Sequence, residues 1–119
     1  MTDASALRAL AAALAAVDVA EVCRPVMTKA GANMRDRARA EAPSGPHIPD
    51  YARHIIFQRP SKLRVEVGAA ETAQGNLSAI LEYGQGANAP HPHIVPQLDR
   101  EAEVTQGYLA DAVVKAIRG

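Results

Sequence analysis

His91 and His93, in the run Pro90-His91-Pro92-His93, have the spacing that comes nearest to chemistry in this chain. In an extended segment, two histidines one residue apart can both ligate zinc, and Glu82 or Asp99 would be at hand to complete the set. The run lacks a second ligand cluster, both rings adjoin prolines, and His47 and His54 stand at no recognisable spacing from it. The expectation is an ordered surface loop and no metal. Acid–base catalysis finds only isolated carboxylates, Glu66 and Glu82. No serine sits in a nucleophile-elbow pattern. Cys23 adjoins Arg24 but has no histidine near it in sequence, so a small buried hydrophobe is the expected role. Gly84-Gln85-Gly86 lacks the spacing and the following helix of a dinucleotide loop. The sequence therefore predicts no catalytic residue and no cofactor.

A second cluster, Arg35, Arg37 and Arg39 with Lys29, has the charge to touch a DNA backbone, and Arg35 and Arg39 share a helix face. A small DNA-binding protein is the alternative function it suggests. Against it, Asp36 and Glu41 interleave and no aromatic platform accompanies the arginines, which favours a solvated face or ion pairs between subunits. The whole chain is neutral, with 13 basic and 13 acidic residues, whereas phosphate binding shows as a concentrated basic surface.

The elements that must position these residues follow from composition and period. With 119 residues, one domain is expected. Hydrophobic residues make up 48% of the chain, yet there is no Trp and Phe57 is the single Phe. Its core must rest on Leu, Ile, Val and close alanine contacts, and so thin a core gains from a partner surface. A lone cysteine rules out an internal disulfide and fits a reducing compartment. Residues 4–17 resemble a signal-peptide core only superficially. Arg8 interrupts them, no basic segment precedes them, and they are too short to span a bilayer, so they read as an alanine-rich helix.

That helix is predicted over about residues 3–41, capped by Thr2 or Asp3, with Leu7, Leu10, Leu14, Val17 and Glu21 at helical spacing. Pro25 is expected to kink or interrupt it. Beyond Pro25, Val26, Ala30, Met34, Ala38 and Ala42 share one face, and Gly31 weakens the stretch. If continuous, the helix would run ~55 Å, so it either folds back at Pro25 or reaches a neighbour. Ala42-Pro43-Ser44-Gly45-Pro46 ends it. A hairpin follows over about 52–68, turning at Pro60-Ser61, with Leu63, Val65 and Val67 facing a core and Lys62, Arg64 and Glu66 facing outward. Residues 70–76 read as an exposed loop, 77–83 as a short helix or a strand, and 84–95 as a loop. A C-terminal helix is predicted over about 96–118, opened by Pro96. Asp99, Glu101 and Glu103 lie near its positive end, and Leu98, Ala102, Thr105, Leu109, Ala112, Val113 and Ile117 form its packing stripe. The class is α+β: a long N-terminal helix and a C-terminal helix packed on a small antiparallel β-sheet.

One ordered set of short motifs adds to this reading. Leu81-Glu82-Tyr83-Gly84, a small flexible run, and then Pro90-His91-Pro92-His93-Ile94-Val95-Pro96-Gln97-Leu98 resemble a phage signature. It is the Glu-Tyr-Gly-Thr and Pro-x-Pro-Phe-(aliphatic)-x-Pro-Ala-(aliphatic) pattern of small head–tail connector (neck) or tail-completion proteins of long-tailed double-stranded DNA phages. Upstream, a long helix ending in Ala42-Pro43, a loop with Gly45, a strand at Arg53-His54-Ile55 and Val65-Glu66-Val67-Gly68 follow the same order, so the resemblance spans about residues 30–118. Gln85 replaces the usual Thr, His93 the usual Phe and Gln97 the usual Ala, and Ser44-Gly45-Pro46-His47 departs from the usual Thr-Gly-x-Leu. The resemblance implies a virion structural protein, a minor tail or neck component assembled in the bacterial host cytoplasm. It implies a homo-oligomeric ring, a hexamer, at the head–tail junction. Its partners would be connector or stopper and tail-terminator or tail-tube proteins, with DNA passing through unread, no membrane, no enzymatic activity and no cofactor. Glu82, Tyr83, Gly84, Pro90, His91, Pro92, His93, Ile94 and Pro96 would then form a docking loop.

Overall fold

A computed structural model describes residues 4–46, 48–70, 75–87 and 89–119. Its elements, in order, are α1 (Ser5–Ala16), α2 (Val19–Glu41), a 3-10 turn (Tyr51–His54), β1 (Ile55–Ser61), β2 (Arg64–Ala69), α3 (Gly75–Tyr83) and α4 (Val95–Arg118). The class is α+β, with a two-stranded antiparallel sheet and long helices at both ends. Helix α2 is the central element, packing against both strands and against α4.

The N-terminal helix is broken, and Pro25 is not where it breaks. Val17 leaves the helix in an extended conformation, and Asp18 caps α2 by accepting a hydrogen bond from the Glu21 N–H at 3.1 Å. A carboxylate three residues before an acidic residue is a start signal. Pro25 lies in the second turn of α2, where it forfeits a single intrahelical bond, and the helix continues through it to Glu41. Thr2 and Asp3, expected to cap α1, lie outside the described residues. So do His47, residues 71–74 of the expected 70–76 loop, and Asn88.

Of the α2 face predicted to pack, Ala30, Met34 and Ala38 are buried, with Cys23 and Gly31 beside them. Gly31 is a close-approach site. A Cβ there would overlap Phe57 Cδ2 and stand 3.0 Å from Cε2, so the chain's one phenylalanine packs directly against bare helix backbone. Arg35, one turn on, stacks over the same ring at 5.2 Å.

The hairpin is shifted relative to expectation. Residues 51–54 form the 3-10 turn, so β1 begins at Ile55; the reversal falls at Lys62-Leu63, and Pro60-Ser61 belong to β1. Register runs Ile55↔Ala69 to Gln58↔Glu66, then Ser61↔Arg64. Three steps along β1 thus match two along β2, a bulge that accommodates Pro60, which has no N–H to give the ladder. Leu63, expected in the core, sits at the tip and is 53% exposed, whereas Val65 and Val67 are half-buried and Arg64 and Glu66 exposed. Asp50, with φ 63°, adopts the left-handed conformation before the 3-10 turn, one that Asp tolerates better than most residues.

The segment 77–83 is helical, within α3, and Gly84 ends it in the left-handed conformation while its N–H bonds Ile80 O at 2.7 Å. In α4 the fully buried positions are polar, Gln97 and Glu101. Leu98 and Ala102, placed in its packing stripe, are exposed, while Thr105, Leu109, Ala112, Val113 and Ile117 are half-buried. The core proper is small: Ala38, Tyr51 and Ile55, ringed by Ala42, Ile48, Val67, Ala69, Leu77, Leu81 and Ile94.

The molecule is an elongated rod of 73 × 22 × 19 Å with a radius of gyration of 20.0 Å; a compact chain of this length would have about 13–14 Å. Helix α1 contributes to the length and buries no residue. Leu7, Leu10 and Leu14 on it are 69%, 48% and 47% exposed.

Candidate functional site

The residues of the Glu82-Tyr83-Gly84 and Pro90–Pro96 segments converge on one buried polar hub at the start of α4. Helix α4 has no local cap, because Ile94 stands at the N-cap position, and its first N–H groups need acceptors from elsewhere. Glu82, in the last turn of α3, supplies them. Its carboxylate accepts from His93 N at 3.1 Å, from Ile94 N at 2.8 Å and from Val95 N at 3.2 Å. Glu82 is 4% exposed, so its negative charge meets the positive end of α4 with little screening by water. Gly84 makes the reversal that lets α3 bring Glu82 there.

His93 is fully buried beside it. Nδ1 donates to His91 O at 2.9 Å and lies 3.3 Å from the Glu82 carboxylate. With the Nδ1 proton so placed, Nε2 accepts from the Tyr51 hydroxyl at 2.7 Å. Tyr51 is packed edge-on to the imidazole and also takes a hydrogen bond from Ser78. Burial lifts the Tyr51 phenol above its ordinary value, the Ser78 hydrogen bond pulls it down and the Glu82 charge lifts it further. One turn along α4, Gln97 donates to His93 O at 3.1 Å and to the Glu41 carboxylate, which also pairs with Arg100. Arg100, against some desolvation, holds the Glu41 carboxyl below the usual carboxylate range. His91 donates its backbone N–H to Leu81 O at 2.7 Å, and its Nε2 bonds Glu41 O at 3.1 Å.

The hub thus ties the end of α2, the 3-10 turn, α3 and the loop to the start of α4. Its polar atoms are spent on one another. The two histidine rings are 6.4 Å apart, and the nitrogens of His93 and Nε2 of His91 face protein acceptors or donors. Among the described residues no three His, Cys, Asp or Glu side chains group to hold a metal. Asp99 is exposed and stands apart from the hub's hydrogen bonds. What the loop turns outward is Tyr83, 70% exposed, with Pro90, His91 and Pro92. Glu82 and His93 face inward, and Ile94 and Pro96 are half-buried.

The arginine cluster is divided among three tasks. Arg37 pairs with buried Glu101 at 2.9 Å, where Asn33 also donates at 3.1 Å, locking α2 to α4. Arg39 caps backbone carbonyls, Ile55 O at 2.8 Å and Arg53 O at 3.3 Å. Arg35 pairs with Asp36 and stacks on Phe57. Cys23 is buried.

Reading the sequence by motif missed Glu41, Tyr51, Ser78 and Gln97 as hub members and Glu101 as the α2–α4 anchor. One signal was present: no Ser, Thr, Asp or Asn precedes Val95-Pro96, so the capping group of α4 had to come from another element. Comparison with protein-family models, with curated proteins and with solved structures returns no match.

Proposed function

We propose that this chain is a structural component of a phage neck or tail, assembling as a ring at the head–tail junction and joining connector to tail. The observation that carries this reading is surplus surface. The chain exposes 8034 Å², against about 6,200 Å² for a compact monomer of its mass. The excess of about 1,800 Å² compares with the ~800 Å² that each partner contributes to a standard interface. Apolar side chains contribute to the exposed surface on α1, with Leu7, Leu10 and Leu14, and on α4, where Val104, Tyr108 and Val114 are 46%, 62% and 44% exposed.

The hub supports the same reading from the chemical side. A site whose donors and acceptors satisfy one another holds a loop still; it leaves little over for substrate. The loop it braces offers Tyr83, Pro90 and Pro92, an aromatic anchor among stiff residues that lose little entropy on docking. The phage signature falls on these same residues; of its three departures, His93 and Gln97 are buried in the hub and Gln85 is exposed. The DNA-binding alternative draws no support from the arginines, whose guanidinium groups are occupied within the chain.

Mass measurement in solution and imaging of the chain with its connector and tail-tube proteins test the proposal. The expected result is a closed ring, alone or on the particle. A chain that stays monomeric and is missing from purified virions would overturn it.

A further inference from the structure

We infer that α1 is the arm by which one copy of this chain grips the next, its Leu7–Leu10–Leu14 ridge seating in the groove between α2 and α4 of a neighbouring subunit. The inference rests on the assembly reading and names its interface.

The arm's apolar ridge is left exposed by its own chain. None of its twelve residues is buried, Arg8 is its one charged side chain, and the leucines repeat at i, i+3 and i+7. This is the pattern with which a helix enters an apolar groove. The receptor is a trough of about 550 Å³ lined by Val26, Lys29, Ala30 and Asn33 of α2 and Tyr108 and Ala112 of α4. Its α2 wall runs from Pro25 to Asn33 and its α4 wall from Glu101 to Lys115, long enough to take the two turns from Leu7 to Leu14. Ala30 and Ala112 leave room for leucine knobs, and Tyr108 is 62% exposed beside them. Charged Lys29, Glu101, Asp111 and Lys115 also line it, with Glu101 already paired to Arg37, and the arm brings a single charge, Arg8.

The occupant is a second copy because the quantities match. Ridge and groove are different patches of one chain, so each subunit gives one and receives one, the head-to-tail arrangement that makes a ring when its rotation closes. Two such interfaces take about 1,600 Å² per subunit at standard size, close to the surplus of about 1,800 Å². The extended residue at Val17 and the cap at Asp18 separate the arm from α2.

The test uses the full chain with Cys23→Ala. Leu10→Cys is placed in one preparation and Ala112→Cys in another, and the two are mixed and oxidised. Expected is a covalent dimer in the mixture, well above either preparation alone, and a ladder of multimers when both cysteines are in one chain. In parallel, Leu7, Leu10 and Leu14 all changed to Ser should weaken self-association about a hundredfold or more, while the far-ultraviolet circular dichroism of α2 and α4 persists. A bridge formed only within single chains means that α1 folds over its own groove, and overturns the arm. An assembly that persists in the triple Ser variant without crosslinking also overturns the arm, yet leaves the ring reading standing. A wild-type chain that stays monomeric, with no bridge between the cysteine variants, overturns the arm, and it removes the ring reading as well when the chain is also missing from purified virions.

Discussion

Glu82→Gln separates the two things the Glu82 carboxylate does, filling space and carrying charge. The side chain keeps its length and volume. One oxygen can still accept from one or two of the three N–H groups of His93, Ile94 and Val95, while the new amide N–H₂ confronts the donors that remain. A cap lost outright costs about 1 kcal/mol. A charge at a partly buried helix N-terminus is worth up to ~2 kcal/mol, and a buried donor left unpaired costs about 1–3 kcal/mol. Because these contributions overlap, and the first turn of α4 can fray to reach water, about 2 kcal/mol is expected for Gln and about 3–4 kcal/mol for Ala. For a chain of this size that corresponds to roughly 8 °C and 12–15 °C of melting temperature. Unfolding followed at 222 nm at one fixed protein concentration measures it, since self-association would otherwise enter the comparison. Hydrogen exchange at residues 93–95 should accelerate more than at residues 30–38. A Glu82→Gln chain within 0.5 kcal/mol of wild type, with those amides still protected, would refute the claim that the charge caps α4.

Gly31→Ala gains about 1 kcal/mol of helix propensity but drives a methyl group into Phe57, so a net loss of about 1–3 kcal/mol is expected; urea unfolding measures it, and Phe57→Leu in the same chain should recover much of the loss. Arg37→Met strands Glu101, which keeps only Asn33 and Thr105; with Arg37 half exposed, a loss of about 2 kcal/mol is expected from the same assay. The Tyr51 phenol is raised in the folded state, so its contribution to stability is intact below pH 10 and is lost as pH climbs through the folded value. Absorbance titration at 295 nm should show a late-ionising phenol that disappears in Tyr51→Phe. At the other end, the Glu41 carboxyl is lowered chiefly by Arg100, so its contribution holds above pH 4.5 and fades on acidification below it; Glu41→Gln should flatten that acid limb of the stability curve.

How far the residues announced this structure depended on whether the partner lay nearby in sequence. Ala30, Met34 and Ala38 declare a packed helix face by their spacing, and Pro96 declares the start of α4. The outward Arg64 and Glu66 follow from alternation alone. Local competition decided two boundaries: Asp18 and Glu21 carried a legible start signal that Pro25 overshadowed, and a bulge moved the hairpin turn from Pro60-Ser61 to Lys62-Leu63. The hub was beyond local reasoning. His91 and His93 advertise a ligand set, and only the fold shows His93 turned onto Tyr51, 42 residues upstream. Gln97 and Glu101 sit where a helical stripe expects apolar side chains; each is acceptable there because α2 brings Glu41, Asn33 and Arg37 to meet it.

The central position of α2 also sets the order in which the chain can fold. Its partners in the hairpin end 28 residues beyond it, at Ala69, whereas Glu101, which Arg37 and Asn33 await, comes 64 and 68 residues later. On the ribosome, α2 and the hairpin can therefore pack while α4 is still unmade, with Glu82 holding its charge ready for a helix that does not yet exist. Contacts of such separation slow folding more than they weaken the finished state. Helix α4 is then the last element to dock, and a nascent chain passes through a stage in which the α2 wall of the groove is formed and has nothing opposite it.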